Sequence, residues 1–271
     1  MMRAWCFLLV LASLPVLAQD LGRESQLAQE MELRQSRETL WLEAAEGRFA
    51  ALYRPAVGGR KHGGLVLVPE AGVAPDAGLL QAVRRSLTQR GWSTLAIVTP
   101  IAEPSAPEQR PLDLLPQGLG RVEAGLKHLQ DQSVQPAALV GEGLGALIAI
   151  RFLAERPEAG IKAAVLIDAP SSVPLESAVL AALGKVKIPV LDILANRNDG
   201  AVPEAALQRR RIQGENPGYR QLVVDVSRAG YGELRETLGN LMHGWLSRTL
   251  DAPEPELKPA APAPSQPAQS R

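Results

Sequence analysis

The order of apolar and polar positions along the chain predicts strands that alternate with helices. Short continuous apolar runs, such as residues 64–68, are typical of strands buried on both faces of a sheet. Longer segments with apolar positions three and four residues apart, such as residues 144–155, predict helices. The predicted strands are residues 39–44, 48–55, 64–68, 93–98, 137–140, 163–167, 190–194 and 222–226. The predicted helices of this alternation are residues 79–89, 119–130, 144–155, 176–183, 203–211 and 234–246.

This order of elements predicts an α/β fold with a mostly parallel, eight-stranded sheet and helices on both faces. The first two strands flank Ala45-Glu46-Gly47 and form an antiparallel hairpin. Each later strand is followed by a helix or a long connection, which is how parallel strands are joined. We expect residues 101–115, which are rich in proline, to form a long loop at the edge of the sheet where ligands bind.

Three polar features carry local predictions. Residues 21–37 are polar with unevenly spaced apolar positions, which predicts an exposed helix. Asp76 is the predicted N-cap of the helix at residues 79–89. Arg209-Arg210-Arg211 is the one basic cluster, and we interpret it as the solvated face of a helix.

The first eighteen residues have the pattern of a signal peptide. Arg3 precedes an apolar run of residues 4–18, which is shorter than the roughly 20 residues of a membrane span. The small residues before Gln19 predict cleavage after Ala18, so we expect a periplasmic or secreted protein without a transmembrane span. Cys6 lies in this segment, so the mature chain is expected to have neither a thiol nor a disulfide.

The remaining chain divides into three parts. Residues 19–37 form an N-terminal helical segment, residues 38–250 form one domain, and residues 251–271 form a tail rich in alanine and proline. The tail cannot bury enough apolar surface to offset its ordering entropy, so we expect it to be disordered. Lys and Arg together number 29, as do Asp and Glu, which gives no electrostatic reason to expect a nucleic-acid partner.

One glycine-rich turn suggests a family. Val140-Gly141-Glu142-Gly143-Leu144-Gly145 falls between a predicted strand and a predicted helix, and it resembles the G-x-S-x-G nucleophile elbow with Gly143 in the place of the serine. From residue 40 to about residue 246 the chain resembles the α/β-hydrolase superfamily, and within it a family of exported bacterial proteins of uncharacterised function with a degenerate elbow. Further segments that carry this resemblance are Leu40-Trp41-Leu42-Glu43-Ala44, Arg90-Gly91-Trp92-Ser93-Thr94-Leu95, Pro217-Gly218-Tyr219-Arg220-Gln221-Leu222 and Gly244-Trp245-Leu246.

The resemblance implies a Ser-His-Asp triad, of which only the acid is found. Gly143 has no side chain and cannot attack a carbonyl. Asp199 matches the acid position, although Asn198-Asp199-Gly200 is equally typical of a turn. Tyr231 stands where the histidine is expected, and with an ordinary pKa near 10 it is a poor base at neutral pH.

The resemblance also locates a ligand crevice. The oxyanion loop of the family usually opens with His-Gly, whereas this chain has Pro69-Glu70-Ala71-Gly72. Backbone N–H groups at the start of the helix after Gly143 favour anions and carbonyl oxygens. The residues predicted to line this crevice are Glu70, Gly72, Glu142, Leu144 and Ser171.

The histidines give no indication of a metal or a cofactor. His62 lies in a turn before a strand, and His128 and His243 lie in predicted helices. Their spacing, with or without Asp and Glu, does not match a pattern such as H-x-x-x-H. We therefore expect no metal, no cofactor and no catalytic histidine.

Three functions remain open from the sequence. The first is a non-catalytic protein that binds a small molecule or an envelope protein. The second is an esterase-like hydrolase with a non-standard site, which uses Ser171 or Ser172, or Glu70 with Asp199 to activate water. The third is a structural protein whose proline-rich tail docks a partner.

Overall fold

A single sheet of eight strands organises the chain in the computed structural model, which describes residues 19–103, 110–196, 203–226 and 231–251. The strands are β1 (Thr39–Ala44), β2 (Gly47–Arg54), β3 (Gly63–Val68), β4 (Trp92–Ile97), β5 (Pro136–Glu142), β6 (Ala163–Ile167), β7 (Val190–Asn196) and β8 (Tyr219–Asp225). The helices are α1 (Leu21–Gln35), α2 (Gly78–Gln89), α3 (Arg110–Asp113), α4 (Leu115–Asp131), α5 (Leu144–Glu155), α6 (Leu175–Leu183), α7 (Glu204–Ile212) and α8 (Arg235–Leu250). The predicted signal peptide, Asp199 and residues 252–271 of the predicted tail lie outside the described residues.

The strand order is β1-β2-β4-β3-β5-β6-β7-β8. Strand β2 runs antiparallel to both β1 and β4, and every other neighbouring pair is parallel. The predicted eight-stranded sheet with its antiparallel N-terminal hairpin is therefore confirmed.

Alternate residues of the central strands face two separate apolar layers. In β3, Val66 and Val68 pack with α4, α5 and α6, whereas Leu65 and Leu67 pack with α1, α2 and α8. All four side chains are fully buried. The central strands are apolar without interruption because helices cover both of their faces. Within the described part of the chain, no helix combines the length and the apolar character that a membrane span requires.

Most of helix α1 is exposed, as its polar sequence predicts, but one face of the helix is buried. Met31 is fully buried, and Glu24 is only 8% exposed. The Glu24 carboxylate pairs with Arg121 of α4 at 2.7 Å and accepts the backbone N–H of Ile101 at 2.8 Å. The apolar pattern did not predict this buried face because one of its residues, Glu24, is charged. Its carboxylate can be buried because Arg121 and the Ile101 N–H satisfy its charge and its hydrogen bonds.

Asp76 does not cap α2. Residue Ala77 occupies the N-cap position and provides no side-chain hydrogen bond. Asp76 instead accepts two hydrogen bonds from the Arg34 guanidinium of α1, at 2.6 and 2.9 Å. The Asp76 carboxylate therefore forms an ion pair with α1 instead of the predicted cap of α2.

Two further predictions are corrected by the structure. The expected loop at residues 101–115 contains α3 and the first residue of α4. Pro116 does not prevent helix formation there, because it lies in the first turn of α4, where a missing N–H is tolerated. Arg209 is not solvated: its side chain is fully buried and pairs with Asp192.

Candidate functional site

The turn between β5 and α5 is built from glycines that allow α5 to approach the sheet closely. Gly143 has φ +55° and ψ −123°, a conformation that side chains rarely adopt, and its N–H donates to the Ile167 carbonyl at 2.9 Å. A Cβ atom on Gly145 would lie 1.9 Å from the Val68 carbonyl oxygen. A Cβ atom on Gly141 would lie 2.4 Å from the Gly145 carbonyl oxygen. Because neither glycine has a Cβ atom, the amino terminus of α5 can lie directly against the end of β3.

The side chain of Glu70 fills the space beside this turn. A Cβ atom placed on Gly143 would lie 1.5 Å from Glu70 Oε2. The Leu144 N–H donates to Oε2 at 3.1 Å, and the Ala71 N–H donates to Oε1 at 2.7 Å. Two backbone donors from different segments thus hold one carboxylate at a helix amino terminus, where negative charge is favoured.

Burial and hydrogen bonding act in opposite directions on Glu70. Burial raises the pKa of the Glu70 carboxyl because the charged form loses water. The hydrogen bonds from Leu144 and Ala71 oppose that rise because they favour the carboxylate. Burial has the larger effect, so the pKa of Glu70 lies above its ordinary value.

Glu142 is the second perturbed carboxyl at the turn. Burial, followed by the charges of Glu70 and Asp168, raises the pKa of Glu142 to about 7. A hydrogen bond from the Leu80 backbone N–H and the charge of Arg235 oppose the rise. The carboxyl is thus able to hold or release a proton near neutral pH.

Glu142 should make the folded protein less stable as pH rises. Its carboxyl binds a proton in the folded state up to a pKa of about 7, whereas its ordinary pKa is 4.5. Between these values the folded state holds more protons than the unfolded state, so the free energy of unfolding decreases as pH increases. We expect Glu142→Gln to remove this decline, as measured by urea unfolding from pH 4.5 to 7. Parallel curves for the two proteins over that window would contradict the assignment.

The structure places Glu70, Glu142, Gly143 and Leu144 next to one another at the β5–α5 turn. Gly72 follows in the same loop with φ +78°. Tyr231 is 7% exposed and packs within the apolar layer that contains α2 and α8. Among the predicted crevice residues, Ser171 is exposed and lines a cavity of about 150 Å³ at the carboxyl ends of β6 and β7.

Asp168 belongs to this region and was not predicted as a site residue. It has φ +46°, and its Oδ1 accepts the Ala195 N–H at 2.6 Å, which connects the ends of β6 and β7. Its charge contributes to the raised pKa of Glu142. The sequence feature that could have identified Asp168 is its position directly after the predicted strand at residues 163–167. Side chains at such positions lie at the carboxyl ends of parallel strands, where ligands bind.

His62 and His243 lie close together at the amino end of β4, beside its first residue, Trp92. The His62 ring stacks on Trp92 with 4.9 Å between centroids, and it lies 5.7 Å from the His243 ring. The Trp92 indole N–H donates to His243 Nδ1 at 3.2 Å. Within the ranges that the structure describes, no group of three or more potential ligands is arranged to hold a metal ion.

The sheet order and the helices around it define an α/β-hydrolase fold. One similar solved structure is the esterase Pf2001 of Pyrococcus furiosus, with 16% identity, a TM-score of 0.60, and coverage of 78% of this chain and 92% of that chain. The esterase domain of a Rhodothermus marinus protein has the same identity and TM-score and covers 78% and 98% of the two chains. An α/β serine hydrolase homologue from Coxiella burnetii has 12% identity and a TM-score of 0.58 and covers 77% and 96%. At these identities the similarity shows the fold alone.

The chain belongs to the family described as protein of unknown function (DUF3530), whose model matches residues 12–118 and 116–248. Comparison with curated protein sequences finds no match.

Proposed function

We propose that this is an exported, non-catalytic α/β-hydrolase-like protein that binds a small molecule or an envelope protein. The signal pattern that ends at Ala18 supports export to the periplasm or beyond the cell. The position of the Glu70 carboxylate carries the proposal for the site, because it occupies the turn where a serine hydrolase needs both its nucleophile and room for a substrate.

The geometry argues against acyl transfer at this turn. In a serine hydrolase the backbone N–H after the nucleophile stabilises the developing oxyanion. In this protein the Leu144 N–H already binds Glu70, and an oxyanion there would face a carboxylate. Gly143 offers no hydroxyl, and a serine side chain would overlap Glu70 Oε2. Where the resemblance expects the histidine base the chain has Tyr231, which is buried in the apolar layer that contains α2 and α8.

A second candidate is a hydrolase with a non-standard site. The pKa of about 7 at Glu142 favours it, because a carboxyl of that pKa can transfer protons at neutral pH. Glu142 would activate water, with Asp199 as a further acidic group, and no serine would be required.

An ester assay separates the two candidates. Mature protein from Gln19 onward is incubated with short-chain p-nitrophenyl esters, beside the variants Asp199→Ala and Glu142→Gln. We expect no turnover above buffer in any of the three proteins. Turnover by the wild type that disappears in either variant would reject the non-catalytic proposal and establish the second candidate.

A further inference from the structure

We infer that the groove between α2 and α8 binds a dianionic ligand, a phosphate monoester, and that three arginines of the groove hold its charged group. The groove has a volume of about 610 Å³. Its lining residues come from α2, from the residues that flank α2 and from the first two residues of α8, and none of them belongs to the β5–α5 turn. The groove is therefore a second site, and its ligand does not depend on the function proposed for the turn.

The groove carries more positive than negative charge. The arginines that line it are Arg85, Arg90 and Arg235. In the described part of the chain, no carboxylate forms an ion pair with any of them. Of the two acidic residues in the lining, Asp76 is already paired with Arg34 of α1, which leaves Glu236. Three guanidinium charges therefore face one carboxylate without a described cation partner, and a dianion would neutralise the surplus.

The amino end of α2 adds to this positive potential. Ala77 at the N-cap makes no side-chain hydrogen bond, and the first turn of α2 contains no acidic residue. Ala77 and Gly78 both line the groove. Because the first N–H groups of a helix carry partial positive charge, the groove favours an anion over a neutral ligand.

Contacts between the two helices fix the position of Arg90. Its guanidinium donates to the Ser86 carbonyl oxygen at 3.1 Å, to the Ser86 hydroxyl at 2.9 Å and to the side chain of Asn240 in α8. A Cβ atom on Gly239 of α8 would lie 2.5 Å from Ser86 Oγ, so the helices are in close contact at this point. All three acceptors are neutral, so they orient the guanidinium without neutralising its charge. An arginine that is already oriented loses less entropy when it binds a phosphate group.

The rest of the groove has room and polarity for the organic part of an ester. Its volume is larger than that of a free phosphate ion, and its wall includes Gln81 and Gln89. In the described part of the chain, Gln81 Oε1 is buried and has no hydrogen-bond partner, which is costly for a polar atom. A hydroxyl group of the ligand would donate to this oxygen once the side chain turns toward the groove. A phosphate ester of a hydroxylated compound therefore matches the groove better than the free ion.

Isothermal titration calorimetry with sodium sulfate tests the charged part of the site, with sodium chloride at equal ionic strength as the control. We expect sulfate to bind mature protein from Gln19 onward. Arg85→Gln and Arg235→Gln should each weaken binding about tenfold, since each removes a charge-assisted hydrogen bond to the ligand. Both side chains are exposed, so the variants should fold. Arg211→Gln, which changes an exposed arginine outside the groove, is the matched control and should bind within about twofold of the wild type.

Titrations with glycerol phosphate and inorganic phosphate test the ester part, at about pH 8, where the phosphate group of a monoester is dianionic. We expect glycerol phosphate to bind roughly fivefold more tightly, and Gln81→Leu to remove this difference, since it deletes the acceptor for the ligand hydroxyl group. Co-sedimentation with vesicles that contain phosphatidic acid separates the two sources of such a group. Binding that Arg235→Gln abolishes identifies a lipid headgroup, and absence of binding identifies a soluble ester.

Absence of sulfate binding to the folded wild type would overturn the inference, as would equal affinities in the wild type and both groove variants. An equal loss of affinity in Arg211→Gln would show that sulfate responds to net charge alone, which also rejects the site. Equal affinities of the wild type for glycerol phosphate and inorganic phosphate would reject the ester as the ligand.

Discussion

Replacing Arg209 by methionine should lower the free energy of unfolding by about 3–5 kcal/mol, because it leaves a buried carboxylate without its cation. Arg209 and Asp192 are both fully buried and are paired at 3.3 Å. The same guanidinium donates to the carbonyl oxygens of Ala169 at 2.6 Å and Pro170 at 3.1 Å. It thereby connects α7 to β7 and to the loop after β6. The melting temperature should fall by roughly 10 °C, since each kcal/mol lowers it by about 2–4 °C in a domain of this size.

The stability that Arg209→Met loses relative to the wild type should increase as pH rises. Burial raises the pKa of Asp192, while the charge of Arg209 and the hydrogen bond from Tyr219 oppose that rise. Without Arg209 the folded state holds the proton of Asp192 to a still higher pH, whereas the ordinary pKa of the group is 3.8. The folded variant then binds more protons than the unfolded chain above that value, so its stability should fall more steeply with rising pH than that of the wild type.

Arg211→Met is the matched control for this prediction. Arg211 lies on the same helix, its side chain is 72% exposed, and its nearest acidic partner is 3.9 Å away. We expect a change within about 0.5 kcal/mol, as for most surface substitutions. Equal losses in the two variants, measured by urea unfolding, would show that Arg209 does not have the buried role described.

Gly145→Ala should destabilise the protein by about 3 kcal/mol, because the added methyl group overlaps backbone atoms that cannot rotate away. Its Cβ would lie 1.9 Å from the Val68 carbonyl oxygen and 2.5 Å from that of Pro69. The amino terminus of α5 must then move away from β3, which also separates the Leu144 N–H from Glu70. The higher helix propensity of alanine, about 1 kcal/mol in favour of the variant, offsets only part of this cost.

Gly59→Ala provides the comparison for Gly145→Ala. A Cβ atom at Gly59 would meet no atom within 4 Å, and its backbone does not require glycine. Chemical unfolding of both variants should show a loss at residue 145 and a change within about 0.5 kcal/mol at residue 59. An unchanged stability of Gly145→Ala would mean that α5 does not approach β3 as closely as described.

The central strands and helices were predictable because their apolar positions report burial directly. The predicted strand at residues 163–167 agrees with β6, and the predicted helix at residues 144–155 agrees with α5. The predictions were wrong where buried surface is polar. Glu24 of α1 and Arg209 of α7 are charged residues that the apolar pattern counts as exposed, and both are buried because a partner distant in sequence satisfies them.

The candidate site was predictable in part. The glycine spacing from Gly141 to Gly145 located the turn, and the loop that begins with Pro69 located Glu70. Neither pattern indicated that the Glu70 carboxylate enters the turn and takes the Leu144 N–H, because that contact joins residues 74 positions apart. Asp168 was missed for a similar reason, since its effect on Glu142 depends on the neighbouring ends of β5 and β6.

The sequence by itself determined the strand–helix order, the two-sided burial of the central strands and the absence of a serine from the glycine turn at residue 143. Each of these follows from residue types and spacing along one stretch of chain. Only the tertiary structure decided which charges are buried as pairs, where the Glu70 carboxylate lies and how far the pKa of Glu142 rises. Electrostatic energies depend on distance and on exclusion of water, and both are set when segments remote in sequence pack together.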